Sequence, residues 1–118
     1  MTNSPDAARM REFAESPDEP FVMLNLLRFT PGGRETYRRY GAGAAPVMAR
    51  YGATVLYAGD GRDPLVPNGE PWDAVLLVRY PSVTAFLEMI QDPEYLAVVP
   101  LREEALAATV LQPTHPWG

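Results

Sequence analysis

Two stretches of this chain are apolar on both of their alternating faces, which few small folds accommodate. Residues 21–29 read FVMLNLLRF and residues 72–80 read WDAVLLVRY. At strand period, Phe21, Met23, Asn25, Leu27 and Phe29 fall on one side of the first stretch. Val22, Leu24, Leu26 and Arg28 fall on the other. Strands of this kind are covered on both sides.

The other segments show what the chain itself has to cover them with. Ser4 is a candidate cap for a short helix from Pro5 to about Ala14, closed by Pro17 and Pro20. Thr30-Pro31-Gly32-Gly33 reads as a turn. Tyr37, Tyr40, Ala44, Val47, Met48 and Tyr51 then recur at helical spacing, with Arg34, Glu35, Arg38 and Arg39 on the other side. Pro46 is expected to kink or split that helix, and Gly52 to stop it. ATVLYAG, residues 53–59, is a second strand, and residues 60–71 form a loop. Ser82 caps a helix to about Gln91 that buries Phe86, Met89 and Ile90. Asp92-Pro93 opens another, interrupted at Pro100 and resumed over residues 101–107, before a last strand at about residues 109–112.

The resulting order is β-α-β-β-α-β, an α+β ferredoxin-like unit with an antiparallel sheet. Residues 1–20 are a polar N-terminal lead-in with a short helix, 21–114 the domain and 115–118 a tail. Two main helices roof only one face of a four-stranded sheet. The second apolar face therefore predicts a second copy packed sheet to sheet, a homodimer.

Composition narrows the chemistry. There is no cysteine, and all ten basic residues are arginine, so thiolate nucleophiles, cysteine-ligated metals, lysine Schiff bases and phosphate-loop lysines are excluded. His115 is the single histidine, which rules out a multi-histidine metal site within one chain. No metal and no cofactor is expected. A net charge of −5 shows no basic face for nucleic acid. No apolar run reaches membrane-spanning length, and the opening segment lacks a basic flank and an apolar signal core. Neither nucleic acid nor membrane is an expected partner, and a cytoplasmic location is expected.

VMLNLLRF with Pro31-Gly32-Gly33, the tyrosine-rich helix, VLYAG, WDAVLLVRYPS with Phe86, and DPEY with Arg102 and Ala105-Leu106 together resemble domain of unknown function 1330. That family belongs to the dimeric α/β-barrel superfamily. The resemblance spans about residues 20–114 and implies the fold closely but the activity poorly. The superfamily includes cofactor-independent monooxygenases, haem-degrading enzymes, muconolactone-type isomerases and dye-decolourising peroxidases, whose usual site is the cleft between sheet and helices. Asn25, seven residues before Gly32, matches the cleft asparagine of the monooxygenase-like members. Tyr80, six residues before Phe86, stands where those relatives carry tryptophan. Residues 83–99 contain no counterpart of the haem-binding histidine.

Asn25 is the sharpest local signal, because a carboxamide among Met23, Leu24, Leu26 and Leu27 costs about 1–3 kcal/mol for each unsatisfied group. It is the candidate to hold a phenol, enolate or carbonyl oxygen; the alternative is an amide bonded to neighbouring backbone or water. Arg79 is the candidate to stabilise developing negative charge, or else it pairs with Asp73 or Asp60. Tyr40, Tyr57, Trp72 and Tyr80 are candidate walls for a planar ligand, or edges of the core. Two functional classes follow. One is a small-molecule-binding homodimer with an apolar cleft, acting as a cofactor-independent isomerase, cyclase or monooxygenase on a phenolic or carbonyl substrate. The other is a non-catalytic ligand-binding or assembly module. A cavity beside the Asn25 amide larger than about 300 Å³, against a packed core there, separates them.

Overall fold

A computed structural model describes residues 3–118 of the chain. The elements are α1 (Ala7–Ala14), β1 (Phe21–Phe29), α2 (Gly33–Arg50), β2 (Thr54–Asp60), β3 (Ala74–Tyr80), α3 (Val83–Met89), α4 (Pro93–Ala105) and β4 (Leu106–Thr114). They form an α+β ferredoxin-like fold with one antiparallel sheet in the order β2-β3-β1-β4. The expected alternation is extended by α1 in front and by two helices, α3 and α4, before the last strand. The two doubly apolar strands, β1 and β3, are the central pair.

The register decides which side chains meet. Phe21 lies opposite Tyr80, Met23 opposite Val78, Asn25 opposite Leu76 and Leu27 opposite Ala74. Because directly paired residues share a face, these eight look toward the helices. Phe21, Met23, Val78 and Tyr80 pack there with Val47 of α2 and with Val83, Phe86 and Met89 of α3. Leu27 and Ala74 pack with Ala105 and Leu106 at the other end. Val22, Leu24, Leu26, Val75 and Leu77 face away from the helices and are only half-buried.

Three local expectations change. The cap of α1 is Asp6, whose carboxylate accepts from the Arg9 amide 2.9 Å away; Ser4 lies outside the helix. Pro46 does not split α2, and Pro100 does not interrupt α4. Each costs one intrahelical hydrogen bond, and packing of the helix on its neighbours outweighs that loss. The last strand is also longer than its polar content implies, beginning at Leu106 directly after α4.

The turn before α2 fixes α2 against the end of α4. Gly32 takes the left-handed conformation (φ 75°). The Thr30 amide donates to the Ala105 carbonyl at 2.9 Å, and its hydroxyl donates to Glu104 O at 3.0 Å. Gly33 sits so close that a methyl group there would strike the Ala105 carbonyl. At the opposite end, Asp18 accepts from the amide (2.9 Å) and hydroxyl (2.7 Å) of Thr84, which holds its carboxyl below the usual range and ties the lead-in to α3. Phe13 of α1 packs edge-on against Phe21 and Phe86 at 5.1 and 6.0 Å.

Two glycine-to-alanine changes in α2 should therefore move stability in opposite directions. Gly33→Ala overpacks the α2–α4 junction and should cost roughly 1–3 kcal/mol. Gly41→Ala adds its methyl to open space and should gain roughly 0.5–1 kcal/mol from helix propensity. Urea unfolding of both variants reads the signs directly.

Candidate functional site

Between the helix-facing side of the sheet and the pair α2 and α4 lies a cavity of about 430 Å³. Its origin is visible in the composition of α2. Gly41, Ala44, Ala45 and Ala49 line it, with Ala53 beyond the helix end. These residues are too short to fill the space over the sheet. Gly43 meanwhile brings α2 against Val98 of α4, so the helices close over the cavity as a roof. GAGAAP is thus a packing sequence. A more open hollow of about 560 Å³ lies between α1 and β4, but Asn25, Arg102 and the tyrosines do not line it.

Asn25 is 8% exposed and lines the cavity. Among the described residues its amide makes one long hydrogen bond, Nδ2 to the Met23 carbonyl at 3.5 Å, near the limit of a useful interaction. Tyr37 and Tyr40 of α2, Tyr80 of β3 and Tyr95 of α4 line the same space. The hydroxyls of Tyr40 and Tyr95 are hydrogen-bonded at 2.8 Å. Arg102 of α4 completes the set and is also only 8% exposed. Its Nη2 makes a long hydrogen bond to Thr109 Oγ1 at 3.4 Å, its guanidinium also interacts with the Tyr37 phenol, and Thr109 in turn donates to the Leu26 carbonyl at 2.9 Å.

Burial pushes the hydroxyl pKa values of Tyr37, Tyr40 and Tyr80 upward. The neighbouring Tyr95 raises all three further, while the Arg102 charge offsets part of the shift in each. These phenols are neutral at physiological pH and act as hydrogen-bonding groups, not bases. Glu103, near the lead-in, is the carboxylate among the lining residues; it accepts from Ser4 Oγ at 3.2 Å. Asn3, Ser4 and Pro5 form part of the cavity wall, and Asn3 Nδ2 donates to Leu106 O at 2.8 Å. Among the described residues, no three His, Asp or Glu side chains gather as a metal site would require.

Asn25, Tyr40 and Tyr80 thus come together, whereas Arg79, Tyr57 and Trp72 do not join them. Arg79 is exposed on the opposite face of the sheet, paired in register with Val22. Neither proposed acid reaches it: Asp60 binds Arg34 at 2.7 Å, and Asp73 accepts from the Phe29 amide at 2.8 Å. Tyr57 is 55% exposed on that same far face, where its phenol lies against Gly59. The cause is an irregularity in register between Val55 and Tyr57. One extra residue there reverses the alternation, so Val55 lines the cavity and Tyr57 does not. Trp72 precedes β3 and lies under the Arg28 guanidinium, 4.4 Å from its ring centre. Arg28 also donates to the carbonyls of Glu70 and Pro71, so these groups anchor the 61–73 loop.

Arg102, Tyr95 and Tyr37 enter the site without having been singled out for it. Tyr95, Val99, Arg102 and Glu103 all line the cavity and fall at i, i+4, i+7 and i+8. They form one helical stripe once α4 is read as continuous through Pro100.

Residues 25–112 match the model of a family described as a domain of unknown function, DUF1330. The chain belongs to that family. The matched span of this DUF1330 chain starts at Asn25 and includes every cavity tyrosine and Arg102; the lead-in lies outside it. Among solved structures, the chain is 36% identical to the methylated RPA0582 protein (TM-score 0.91), covering 100% of this chain and 98% of that one. A second structure of RPA0582, a protein of unknown function from Rhodopseudomonas palustris, matches at 35% identity with TM-score 0.90, covering 99% and 98%. More distant likeness, of fold alone, extends to a proposed antibiotic biosynthesis monooxygenase from Caulobacter crescentus CB15 (14% identity, TM-score 0.62, 86% and 92% covered). It extends equally to a dimeric protein of unknown function and ferredoxin-like fold from Bacteroides fragilis (12%, 0.58, 82% and 96%). No curated protein sequence matches. Among the described residues no helix is long and apolar enough to cross a membrane.

The buried phenols have a consequence for alkaline stability. Each has a folded pKa above its unfolded value near 10, so its contribution is complete below that pH and falls as pH rises through and beyond it. The chain contains neither lysine nor cysteine, so tyrosine dominates this titration range. Phenolate absorbance at pH 11 should fall short of the full six-tyrosine signal until the chain unfolds. Tyr40→Phe should lose about 0.5–1.5 kcal/mol at pH 8 with the Tyr95 hydrogen bond. Relative to the parent protein, its urea midpoint should also decline less between pH 8 and pH 11.

Proposed function

We propose that the protein is a homodimeric small-molecule-binding protein whose ligand, a planar phenol or enolisable carbonyl compound, occupies the cavity between sheet and helices. The observation that carries this reading is the convergence of Asn25, four tyrosines and Arg102 on a space of about 430 Å³, within the usual size range of ligand sites. A chain filling its own core would not leave a nearly unbonded carboxamide beside such a space. The aromatic walls suit a flat ligand, and the polar groups suit its oxygen atoms.

Catalysis here would be cofactor-independent and rest on hydrogen bonding to an oxygen that gains charge as a proton leaves the substrate, with Asn25 orienting that oxygen. Proton abstraction beside a carbonyl, with isomerisation or cyclisation, and oxygenation of an electron-rich phenol are the reaction types that fit. The neutral phenols, which cannot act as bases, and the engagement of Glu103 with Ser4 also favour a second reading: a binding module without turnover.

The dimer rests on surface area. The chain alone exposes 7756 Å², against roughly 6,300 Å² for a monomer of its mass, an excess on the order of 1,400 Å². A standard interface removes about 800 Å² from each partner. The half-buried Val22, Leu24, Leu26, Val75 and Leu77 supply a contiguous apolar surface for it. Arg79 and Tyr57 would then sit at or near the seam between subunits.

Native mass spectrometry at micromolar concentration should show a dimer, and Leu24→Arg at the centre of that face should yield monomers. Calorimetry with 1-naphthol should show saturable binding by the parent protein. Gly41→Leu, which places a side chain in the cavity, should weaken that binding at least tenfold while leaving the dimer intact. A monomeric parent protein would sink the dimer. Failure to bind 1-naphthol or any of a panel of phenols and small acids would sink the cavity reading.

A further inference from the structure

Arg102 is the one guanidinium that the fold takes out of water. Four other arginines form ion pairs toward the surface, Arg28 with Glu70, Arg34 with Asp60, Arg38 with Glu35, and Arg50 with Asp92 and Glu94, and Arg9, Arg11, Arg39, Arg62 and Arg79 are exposed to water. Arg102, at 8% exposure, has no carboxylate within ion-pair distance among the described residues. Its neighbours are the Thr109 hydroxyl at 3.4 Å and the phenol of Tyr37. Removing a cation from water without a counter-charge is costly, and native structures almost always pair such a group. Arginine cannot escape the cost by losing its proton. The guanidinium lies at the cavity wall, and Glu103, on the same wall, is engaged with Ser4. A missing counter-charge therefore has one place to sit, inside the cavity.

We propose that the cavity selects ligands bearing an anionic oxygen, a carboxylate or a stabilised enolate, and that the Arg102 guanidinium holds that charge. The inference rests on the reading of the cavity as a ligand site and narrows its ligand class. Tyr37, Tyr40, Tyr80 and Tyr95 line the same space, and their phenols are donors for an anion, except that one hydroxyl of the Tyr40–Tyr95 pair already donates to the other. The net charge of −5 makes a general attraction of anions to the surface an unsuitable explanation.

The test compares 1-naphthoate with 1-naphthamide, which share the ring system and differ in charge at pH 7.5. Calorimetry should show the parent protein binding the carboxylate about tenfold more tightly or better. The preference should persist in about 0.5 M sodium chloride, because a buried charge is screened little. Arg102→Gln should bind both compounds alike, with the naphthamide affinity retained, and Arg102→Lys should keep part of the preference. Far-ultraviolet circular dichroism checks that the variants fold, and the parent's own preference stands as a test without them. Equal binding of the two compounds by the parent protein, or a preference erased by salt, overturns the role of Arg102 while the cavity reading survives on naphthamide binding. Absence of binding by either compound, and by 1-naphthol, removes the cavity reading and this inference with it.

Discussion

Everything in this molecule depends on two neighbouring strands, β1 and β3, that are apolar on both sides. On the helix side their paired residues make a floor, Phe21 with Tyr80, Met23 with Val78 and Leu27 with Ala74, on which all the helices assemble. On the other side Leu24 meets Leu77, and Leu26 meets Val75. A strand cannot be made polar on one face without losing what the other face is for, since adjacent residues alternate. The architecture thus couples two properties: a core built by the chain itself, and an apolar surface that no helix among the described residues covers.

Asn25 breaks the apolar floor at its centre, and the small residues of α2 stand above it. Those two features act together. A polar side chain in a fully packed core would force its neighbours to supply hydrogen bonds, and large residues in α2 would close the space. Here Met23 supplies one long bond, and Gly41, Ala44, Ala45 and Ala49 leave the volume open. Further along the same roof, Gly33 and Thr30 lock the start of α2 to the end of α4. This junction places Arg102, one turn before the end of α4, over the sheet instead of in solvent. The stability of the junction and the composition of the cavity wall are consequences of the same helix packing.

How far the sequence discloses this varies with the physics of each element. Strand periodicity identified the helix-facing set of β1 and the uncovered set opposite it, because burial follows alternation when no residue is inserted. Tyr57 escaped that logic through the irregularity after Val55, which inverts the faces of β2 and leaves no mark in composition. Arg79 is different: it precedes Tyr80 directly in a regular strand, so the two cannot share a face, and period two already separates them. Trp72 lies just ahead of its strand, where alternation no longer applies. Arg102 was obscured by Pro100. A helix broken there puts Arg102 out of phase with Tyr95, whereas a continuous one aligns them seven residues apart. Local propensity favoured the break, and packing of α4 on α2 and the sheet overrode it.

The chemistry of the cavity follows from what burial does to each type of group. A buried phenol becomes a weaker acid and stays neutral, so Tyr37, Tyr40 and Tyr80 can stabilise a negative oxygen but cannot generate one by accepting its proton. A buried guanidinium keeps its charge, and its electrostatic field is strongest where water is absent. An amide such as Asn25 can donate or accept and therefore sets orientation instead of charge. Put together, one permanent cation, several neutral donors and one amide make an environment that lowers the free energy of an anion relative to its conjugate acid. For a substrate with an acidic carbon or hydroxyl, that is the same as lowering its pKa within the site. A cavity of this composition needs no strong base of its own to favour the anionic state of a ligand that has already given its proton to solvent, because the Arg102 charge and the neutral donors hold that anion in the interior.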